Sequence, residues 1–260
     1  MNQEVAIITG SSNGIGKEVA AQLLRKGYAV VINGRNQERL ENTKLELKAF
    51  GEDILAVAGS VANKADAESI VVKTINHYGR IDVLINNAGV SLKSKLEETE
   101  PDVFKQVFET NVFGSTNTTT YALPHLKKNK GSIVFISSVA GIRGLPNASA
   151  YCASKMALRG IAESLRVEEA ESGIHVGLIY VGFTKNDPNK TTLTAKGKLE
   201  PINNNKGFKL QTPEYVASKI IANFEKRRFI TTLSSLGRLN KIMQSLSPSL
   251  VEKIIIKRSK

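Results

Sequence analysis

The stretch TGSSNGIG, residues 9–16, directly follows the short apolar run VAIIT and opens a sequence with helical periodicity. A strand, a glycine-rich turn and a helix in this order are typical of a turn that binds the pyrophosphate of a dinucleotide. Glycines let backbone N–H groups and the helix amino terminus approach phosphate oxygens. A tight strand-to-helix turn without a ligand has the same pattern, so the rest of the chain must decide between the two interpretations.

Short apolar runs continue to alternate with amphipathic helical sequence along the chain. The predicted strands are residues 5–9, 29–33, 54–58, 82–86, 132–137 and 174–180, with a seventh at 229–233. Apolar runs separated by crossover helices predict buried parallel strands. We therefore expect the α/β class, a Rossmann-like doubly wound parallel sheet of about seven strands flanked by helices, with ligands beyond the carboxyl ends of the strands.

The chain has 260 residues and a mass of 28.3 kDa, which suits one large α/β domain. We expect a single dinucleotide-binding and catalytic domain over residues 1–235 and a basic amphipathic helical extension over residues 236–260. The segment 183–212 is rich in Asn, Lys, Thr and Gly and is long for a connection. It is predicted to be a substrate lid, with plain surface disorder as the alternative.

Composition and charge exclude several classes of protein. The single cysteine, Cys152, and three scattered histidines predict neither a disulfide framework nor a metal site. No apolar stretch approaches about 18 residues and no basic segment precedes Val5, so we expect a cytoplasmic protein. The net charge is +12, and residues 226–260 hold nine Lys or Arg against Glu252. Because Phe229 is the one aromatic residue there, nucleic acid is not expected as a partner.

Four further motifs follow the glycine turn in order. NNAG covers residues 86–89, Asn111 lies in TNVFGS, Ser138 ends FISS, and YCASK supplies Tyr151 and Lys155. With the Gly-x-x-x-Gly-x-Gly spacing of residues 10–16, this set resembles the short-chain dehydrogenase/reductase family over about residues 5–182. Within that family the chain resembles NADP-dependent carbonyl and steroid reductases that carry a C-terminal helical extension. The resemblance implies a catalytic tetrad of Asn111, Ser138, Tyr151 and Lys155.

The resemblance also implies how a nicotinamide cofactor is held. Lys155 would hold the nicotinamide ribose, and Asn111 would position a water that links Lys155 to solvent. The chain departs from the family pattern at Asn13, often basic in NADP members, at Gly59-Ser60, often Asp, and at Val181, often Pro. The predicted cofactor contacts are Gly10, Ser12, Asn13, Gly14, Ile15, Gly16, Arg35, Ser60, Val61, Asn87, Ala88, Gly89, Tyr151, Lys155, Val181, Gly182 and Thr184.

The chemistry of Tyr151 and Lys155 suits carbonyl reduction. Four residues apart, they share one face of a helix, and a nearby ammonium is expected to lower the tyrosine pKa from about 10 toward neutrality. Tyr151 would protonate the developing alkoxide while Ser138 donates a hydrogen bond and hydride comes from the nicotinamide. An isolated Tyr-x-x-x-Lys would be an ordinary surface pair. The alternative function is a non-enzymatic dinucleotide sensor or structural subunit on the same fold.

The residue after the second strand bears on the choice of cofactor. An NAD enzyme would place a carboxylate there for the adenosine ribose, whereas this chain has Gly34 and Arg35. A neutral residue and a guanidinium accommodate an additional phosphate. NADP(H) is predicted, with NAD(H) as the alternative if Arg35 is only a solvated loop charge.

The extension is predicted to be amphipathic. Leu239, Ile242, Met243 and Leu246 recur at helical spacing, and Pro248 begins a second helix. Apolar faces within a basic segment favour peripheral contact with an anionic membrane surface. Packing on the domain's own core and a subunit contact are the alternatives. We expect a homodimer or homotetramer acting on a small carbonyl or alcohol substrate, for which an apolar ketone, a steroid and a 3-keto lipid are candidates.

Overall fold

The computed structural model describes residues 3–185, 190–202 and 210–259. Within these residues a parallel sheet forms the centre of the molecule, and a short antiparallel hairpin lies apart from it. The strands of the sheet are β1 (Val5–Ile8), β2 (Ala29–Gly34), β3 (Ile54–Ala58), β4 (Val83–Asn86), β5 (Ser132–Ser138), β6 (His175–Val181) and β9 (Ile230–Thr232). The hairpin consists of β7 (Thr191–Leu193) and β8 (Leu199–Pro201).

Helices connect the strands and cover both faces of the sheet. The α-helices of the described residues are α1 (Gly14–Arg25), α2 (Gln37–Leu47), α3 (Lys64–Tyr78), α4 (Pro101–Phe108), α5 (Gly114–Asn129), α6 (Ser149–Glu168), α7 (Pro213–Glu225), α8 (Ser235–Leu246) and α9 (Pro248–Ser259). A π-helical segment, Glu109–Phe113, joins α4 to α5, and a 3₁₀ turn, Val139–Gly141, follows β5.

The order of the sheet is β3-β2-β1-β4-β5-β6-β9, and all neighbouring strands pair in parallel. The predicted doubly wound Rossmann-like fold is confirmed, and the predicted strands differ from the observed ones by no more than one residue at either end. The direction of winding reverses between β1 and β4. A crevice therefore opens beyond the carboxyl ends of these two strands.

The apolar runs form continuous buried strands because the sheet has a core on each face. In β1, Ala6 and Ile8 point into a core shared with α1 and α7, while Val5 and Ile7 point into a core shared with α3, α5 and α6. Burial on both faces removes the polar alternation of a solvated strand. The same burial fixes the register of the strands whose carboxyl ends carry the predicted site.

The segment 183–212 contains structure that the sequence did not indicate. Leu193 of β7 is buried beside Leu92 and Val103, and its N–H donates to the Ser91 carbonyl at 2.8 Å. Strands of three residues are too short to show a period-2 pattern. The hairpin thus lies against the loop that follows β4. The predicted lid stays a prediction, and its residues 186–189 and 203–209 lie outside the described residues.

Helices α8 and α9 are anchored through one side of α8. A β-carbon on Gly237 would lie 2.6 Å from Val139 Cγ1, and Arg143 Nη1 donates to Gln244 Oε1 at 2.9 Å. The predicted apolar stripe faces outward instead, since Leu239, Ile242 and Leu246 are 56%, 56% and 77% exposed. For these three side chains, packing on the domain's own core is wrong.

Candidate active site

The glycine turn needs residues without side chains at two close approaches. Gly10 has φ +62°, and a β-carbon there would lie 2.7 Å from Ala88 Cα. A β-carbon on Gly16 would lie 2.6 Å from both Asn87 Nδ2 and the Gly10 carbonyl oxygen. These distances are shorter than van der Waals contact. The turn after β1 therefore sits directly against the loop after β4.

Hydrogen bonds join these two loops into one floor. Asn87 Nδ2 donates to the carbonyl oxygens of Thr9 and Gly10, both at 2.9 Å. Thr9 Oγ1 accepts from the N–H groups of Asn87 and Ala88, both at 3.0 Å. Thr9 was not among the predicted site residues, although it is the first residue of TGSSNGIG.

The amino terminus of α1 is open to an external acceptor. Asn13 occupies the N-cap position, but its side chain makes no capping hydrogen bond. At α2, by contrast, Asn36 accepts from the Arg39 N–H at 2.8 Å. The N–H groups of the first turn of a helix need such an acceptor, and a phosphate oxygen serves well. Gly14 and Ile15 lie in this first turn, and a β-carbon on Gly14 would meet no atom within 4 Å.

A polar cavity of about 410 Å³ continues from this turn toward α2. Arg35 is exposed at the carboxyl end of β2 beside this region. Lys17 in the wall is paired with Glu46, and Arg39 is a further guanidinium that sequence analysis did not single out. The cavity is lined by Ser12, Asn13, Lys17, Asn36, Glu38, Arg39, Asn42, Thr43 and Glu46.

Ser60 and Val61 follow the carboxyl end of β3, the outermost strand next to β2. The Ser60 N–H donates to Asp66 Oδ2 at 2.8 Å, and Val61 is buried against Gly114. Asp66 of α3 therefore holds the backbone at Ser60. Sequence analysis missed Asp66 because it lies six residues beyond Ser60 in the chain.

Ser138, Tyr151 and Lys155, three of the predicted catalytic residues, lie together at the crevice. Ser138 ends β5, Tyr151 lies in the first turn of α6, and the Ser138 hydroxyl is near enough to the phenol to lower its pKa. Lys155 Nζ lies 6.0 Å from the centre of the Tyr151 ring and donates to the Ile136 carbonyl at 2.9 Å. The side chain of Lys155 is almost fully buried. The ammonium is therefore fixed one helical turn from the phenol.

Asn111 joins this cluster through the loop after β4. Its Oδ1 accepts from the Val90 N–H at 2.8 Å, and its Nδ2 donates to the Val90 carbonyl at 3.0 Å and to Ser154 Oγ at 2.9 Å. A β-carbon on Gly89 would lie 3.1 Å from Asn111 Oδ1 and 3.2 Å from Lys155 Nζ. The structure therefore brings all four predicted catalytic residues to one place.

Burial dominates the protonation of the catalytic pair. It raises the pKa of Tyr151, and the hydrogen bond from Ser138 offsets only part of that rise. It also lowers the pKa of Lys155 to about 8, with a smaller contribution from the positive charge of Lys190. The expectation of a lowered tyrosine pKa was wrong, because desolvation is the largest effect on Tyr151 and raises its pKa. Tyr151 consequently keeps its proton at neutral pH.

Val181 is the last residue of β6, and the loop after it carries Gly182 and Thr184. Thr184 Oγ1 donates to the Gly182 carbonyl at 3.3 Å, and Gln211 Nε2 ties this region to the Leu233 carbonyl at 2.9 Å. Gln211 Oε1 is buried without a hydrogen-bond donor among the described residues, and a β-carbon on Gly182 would lie 3.3 Å from it. A buried acceptor without a donor is costly unless a ligand supplies one.

These observations fit a dinucleotide. The glycine cradle and the uncapped α1 terminus would take the pyrophosphate, the cavity beside α2 the adenosine ribose, and the Gln211 region the polar end of the nicotinamide. The predicted cofactor residues lie along this single edge of the sheet. Those that reach the catalytic cluster directly are Gly89, Tyr151 and Lys155.

Comparison with known proteins identifies the family. The family model for short chain dehydrogenase matches residues 4–197. An uncharacterized oxidoreductase of Thermotoga maritima is 36% identical over 199 residues, covering 76% of this chain and 77% of that protein. The 11-beta-hydroxysteroid dehydrogenase-like 2 of Arabidopsis thaliana is 39% identical over 186 residues, covering 71% of this chain and 60% of that protein. The chain belongs to the short-chain dehydrogenase family.

Solved structures agree with this assignment. An alcohol dehydrogenase of Thermococcus sibiricus complexed with 5-hydroxy-NADP superposes with a TM-score of 0.78 at 25% identity, covering 90% of this chain and 97% of that one. A short chain dehydrogenase/reductase of Burkholderia phymatum in complex with NAD gives a TM-score of 0.84 at 22% identity, covering 96% and 95%. The latter shows likeness of fold alone.

We predict that Gly10→Ala and Gly14→Ala differ in cost although both residues have positive φ. The left-handed backbone costs each alanine roughly 1–2 kcal/mol. Gly10→Ala should lose about 1–3 kcal/mol more, because its β-carbon meets Ala88 whereas that of Gly14 meets nothing. Urea unfolding measures both, with Gly27→Ala as a control for positive φ outside the site. Equal losses for Gly10→Ala and Gly14→Ala would show that the contact with Ala88 is unimportant.

Proposed function

We propose that this chain is an NADP(H)-dependent oxidoreductase that interconverts a ketone or aldehyde and an alcohol. The observation that carries the proposal is the grouping of the Ser138 hydroxyl and the Tyr151 phenol with the buried Lys155, whose Nζ lies 6.0 Å from the Tyr151 ring centre. The pair lies at the carboxyl edge of the sheet, where the glycine cradle fits a dinucleotide. The hydroxyl groups of both side chains can then hydrogen-bond to one substrate oxygen.

The reaction follows from the protonation state of these groups. A bound nicotinamide dinucleotide would supply the hydride in reduction and accept it in oxidation. Tyr151 donates its proton to the substrate oxygen as negative charge develops, and Ser138 donates a hydrogen bond to the same oxygen. Lys155, a cation below about pH 8, stabilises the phenolate that Tyr151 becomes.

Asn111 and Lys155 act as positioning residues in this proposal. Asn111 holds the Val90 backbone through both its N–H and its carbonyl, which fixes the loop between Gly89 and the hairpin. We assign Lys155 to the nicotinamide ribose and Asn111 to a water leading from Lys155 to solvent, as the family resemblance implies. Both side chains are buried, so little conformational freedom is lost when a substrate binds.

NADP(H) is the cofactor we propose. Arg35 is exposed beside the cavity that holds Ser12, Asn13 and Arg39, so two guanidiniums border the region next to the adenosine ribose. The glutamates of that cavity are Glu38 and Glu46, and Glu46 is neutralised by Lys17. An additional phosphate would therefore meet net positive charge. NAD(H) remains the alternative cofactor.

The proposed substrate is an apolar ketone, with a steroid or 3-keto lipid as examples. The hairpin of β7 and β8 brings Leu193 next to Leu92 and Ala150, and Ala150 directly precedes Tyr151. An apolar wall thus lies close to the catalytic phenol. We propose segment 183–212, which contains this hairpin, as the substrate lid. The names of the Arabidopsis relatives, which are 11-beta-hydroxysteroid dehydrogenase-like proteins, support the same substrate class.

We further propose a cytoplasmic homo-oligomer whose α8 and α9 contact an anionic membrane surface. Among the described residues, no helix is long and apolar enough to cross a bilayer. The exposed side chains of Leu239, Ile242 and Leu246 share α8 with Arg238 and Lys241. An exposed apolar face with flanking cations suits peripheral binding, and a subunit contact is the competing occupant.

We predict that Tyr151→Phe lowers turnover by about 10² to 10⁴ because the proton donor is lost. NADPH binding by Tyr151→Phe should remain measurable. Lys155→Ala should also lose most of its turnover. Oxidation of NADPH is followed by absorbance on a panel from small diketones to steroids and 3-keto lipids. Tyr215→Phe, an exposed tyrosine on α7, is the matched control. Wild-type turnover by Tyr151→Phe would contradict the mechanism, and no turnover by the wild type on any carbonyl would favour a dinucleotide sensor.

Arg35→Asp should weaken NADPH far more than NADH, because a like charge then faces the additional phosphate. One charge-assisted hydrogen bond is worth about 1.5–3 kcal/mol, roughly a tenfold to hundredfold loss in affinity. Fluorescence titration of both cofactors measures the ratio. Lys44→Asp, in the last turn of α2, controls for the change in net charge. Equal losses for the two cofactors would make Arg35 a solvated loop charge.

The intact protein should sediment with vesicles of phosphatidylserine and phosphatidylcholine, and added salt should weaken this binding. The triple variant Leu239→Ser, Ile242→Ser, Leu246→Ser should lose it, since burial of each large apolar side chain contributes about 1.5–3 kcal/mol. Val167→Ser, a 78% exposed valine elsewhere, is the control. If the folded wild type fails to bind these vesicles even at low salt, a subunit contact is the better explanation.

A further inference from the structure

A second cavity lies at the opposite edge of the sheet from the catalytic cluster. Its volume is about 330 Å³, and its polar lining comes from Arg166, Glu169, His175 and Arg227. His175 is the first residue of β6, whereas Ser138 is the last residue of β5. The cavity therefore opens at the amino-terminal edge, where neither the mechanism nor the cofactor places any group.

The charges around this cavity leave an excess of positive charge. Arg166 is held over the Phe229 ring at 4.7 Å, and Arg227 Nη2 donates to the Gly173 carbonyl at 2.6 Å. The carboxylate of Glu169 is already matched, because Lys127 Nζ lies 2.6 Å from its Oε1. Two guanidiniums thus border the cavity without a carboxylate of their own among the described residues.

A buried polar cluster fixes the back wall. Asn223 Nδ2 donates to the Arg228 carbonyl at 2.7 Å and to Thr231 Oγ1 at 3.0 Å, so Asn223 Oδ1 faces His175 Nε2 at 3.4 Å. This arrangement assigns the proton of neutral His175 to Nε2 and leaves Nδ1 without one. A β-carbon on Gly177 would collide with Asn223 Oδ1, so glycine is needed there for the cluster to exist.

The two arginines act on His175. Burial lowers the pKa of His175 to about 4, and the Asn223 hydrogen bond, the second-largest effect, opposes it. The positive charges of Arg227 and then Arg166 make smaller contributions that lower the pKa further. Other charged groups near this edge include the Lys127–Glu169 pair, Lys130, whose side chain packs against Gly173, and Lys226 and Arg228, which precede β9. Because the arginines disfavour imidazolium, an anion that neutralises them should make His175 easier to protonate.

We propose that this cavity binds a tetrahedral oxyanion, either free phosphate or the terminal group of a phosphomonoester, between Arg166 and Arg227. Guanidinium groups present planar forks of donors that match phosphate oxygens. The volume exceeds that of a single phosphate, so an ester with a small organic group is also accommodated. The site is independent of the proposed reductase activity and makes no use of Tyr151 or the cofactor.

The first test measures the melting temperature of the full chain, without added cofactor, at pH 7.5 and constant ionic strength. Inorganic phosphate or glycerol 3-phosphate should raise it to a plateau that chloride does not produce. Arg166→Gln and Arg227→Gln should each weaken phosphate binding, so that the phosphate concentration at half-saturation rises by about tenfold or more. The matched control is Arg228→Gln, an exposed neighbour outside the cavity whose carbonyl bond to Asn223 is kept. Saturation by phosphate alone would identify free anion as the ligand, and saturation by both would admit an ester.

The second test follows the His175 imidazole by NMR in a pH titration. Sulfate is the probe here because it stays a dianion across the range, whereas phosphate does not. Sulfate should raise the protonation midpoint of wild-type His175 from about 4, and the rise should shrink in Arg227→Gln. The wild-type titration decides alone if an arginine variant does not fold. An unchanged midpoint at saturating sulfate, or equal thermal stabilisation in Arg228→Gln and both cavity variants, would overturn the proposal.

Discussion

The contact between the turn after β1 and the loop after β4 is the constraint on which the site depends. Gly10 and Gly16 let the two loops approach to a distance that no side chain permits, and the Asn87 amide binds the carbonyl oxygens of Thr9 and Gly10. Those bonds use carbonyl groups, while the first N–H groups of α1 stay without a side-chain cap. The contact between the two loops thus leaves the first N–H groups of α1 available to an external acceptor such as a phosphate.

In the proposed function, the same loop would link cofactor binding to catalysis. From Asn87 the chain runs through Gly89 to Val90, whose backbone is held on both sides by Asn111, and Gly89 lies against Lys155 Nζ. Burial gives this assembly its rigidity and also decides its electrostatics. Desolvation keeps Tyr151 protonated and makes the Lys155 proton easier to lose, so the two effects act in opposite directions on a pair that the sequence shows only as neighbours on a helix.

Sequence predicted what is local and missed what depends on packing. The strands were predictable because each is a continuous apolar run. The tetrad was implied by motifs that resemble a family in their order, and its catalytic role stays a prediction. The π-helical segment around Asn111 adds one residue per turn, which leaves no mark on apolar periodicity. Asp66 reaches the site from α3, Lys190 from the position just before β7, and Gln211 from the segment before α7, so only the fold brings them there. The direction of the Tyr151 pKa shift was missed because burial cannot be counted from spacing.

The basic carboxyl-terminal region illustrates the same limit. In sequence, residues 226–260 form one segment of nine basic residues and one acid. In the structure this segment crosses the sheet, because β9 separates Lys226, Arg227 and Arg228 at the amino-terminal edge from α8 and α9 beyond the carboxyl edge. Charges further apart than about 8 Å are largely screened at physiological salt. A membrane at α8 and α9 would therefore meet fewer cations than the segment contains, and the exposed leucines and isoleucine must carry more of its affinity. Arg227 lies at the other edge of the sheet, where it borders the proposed anion site.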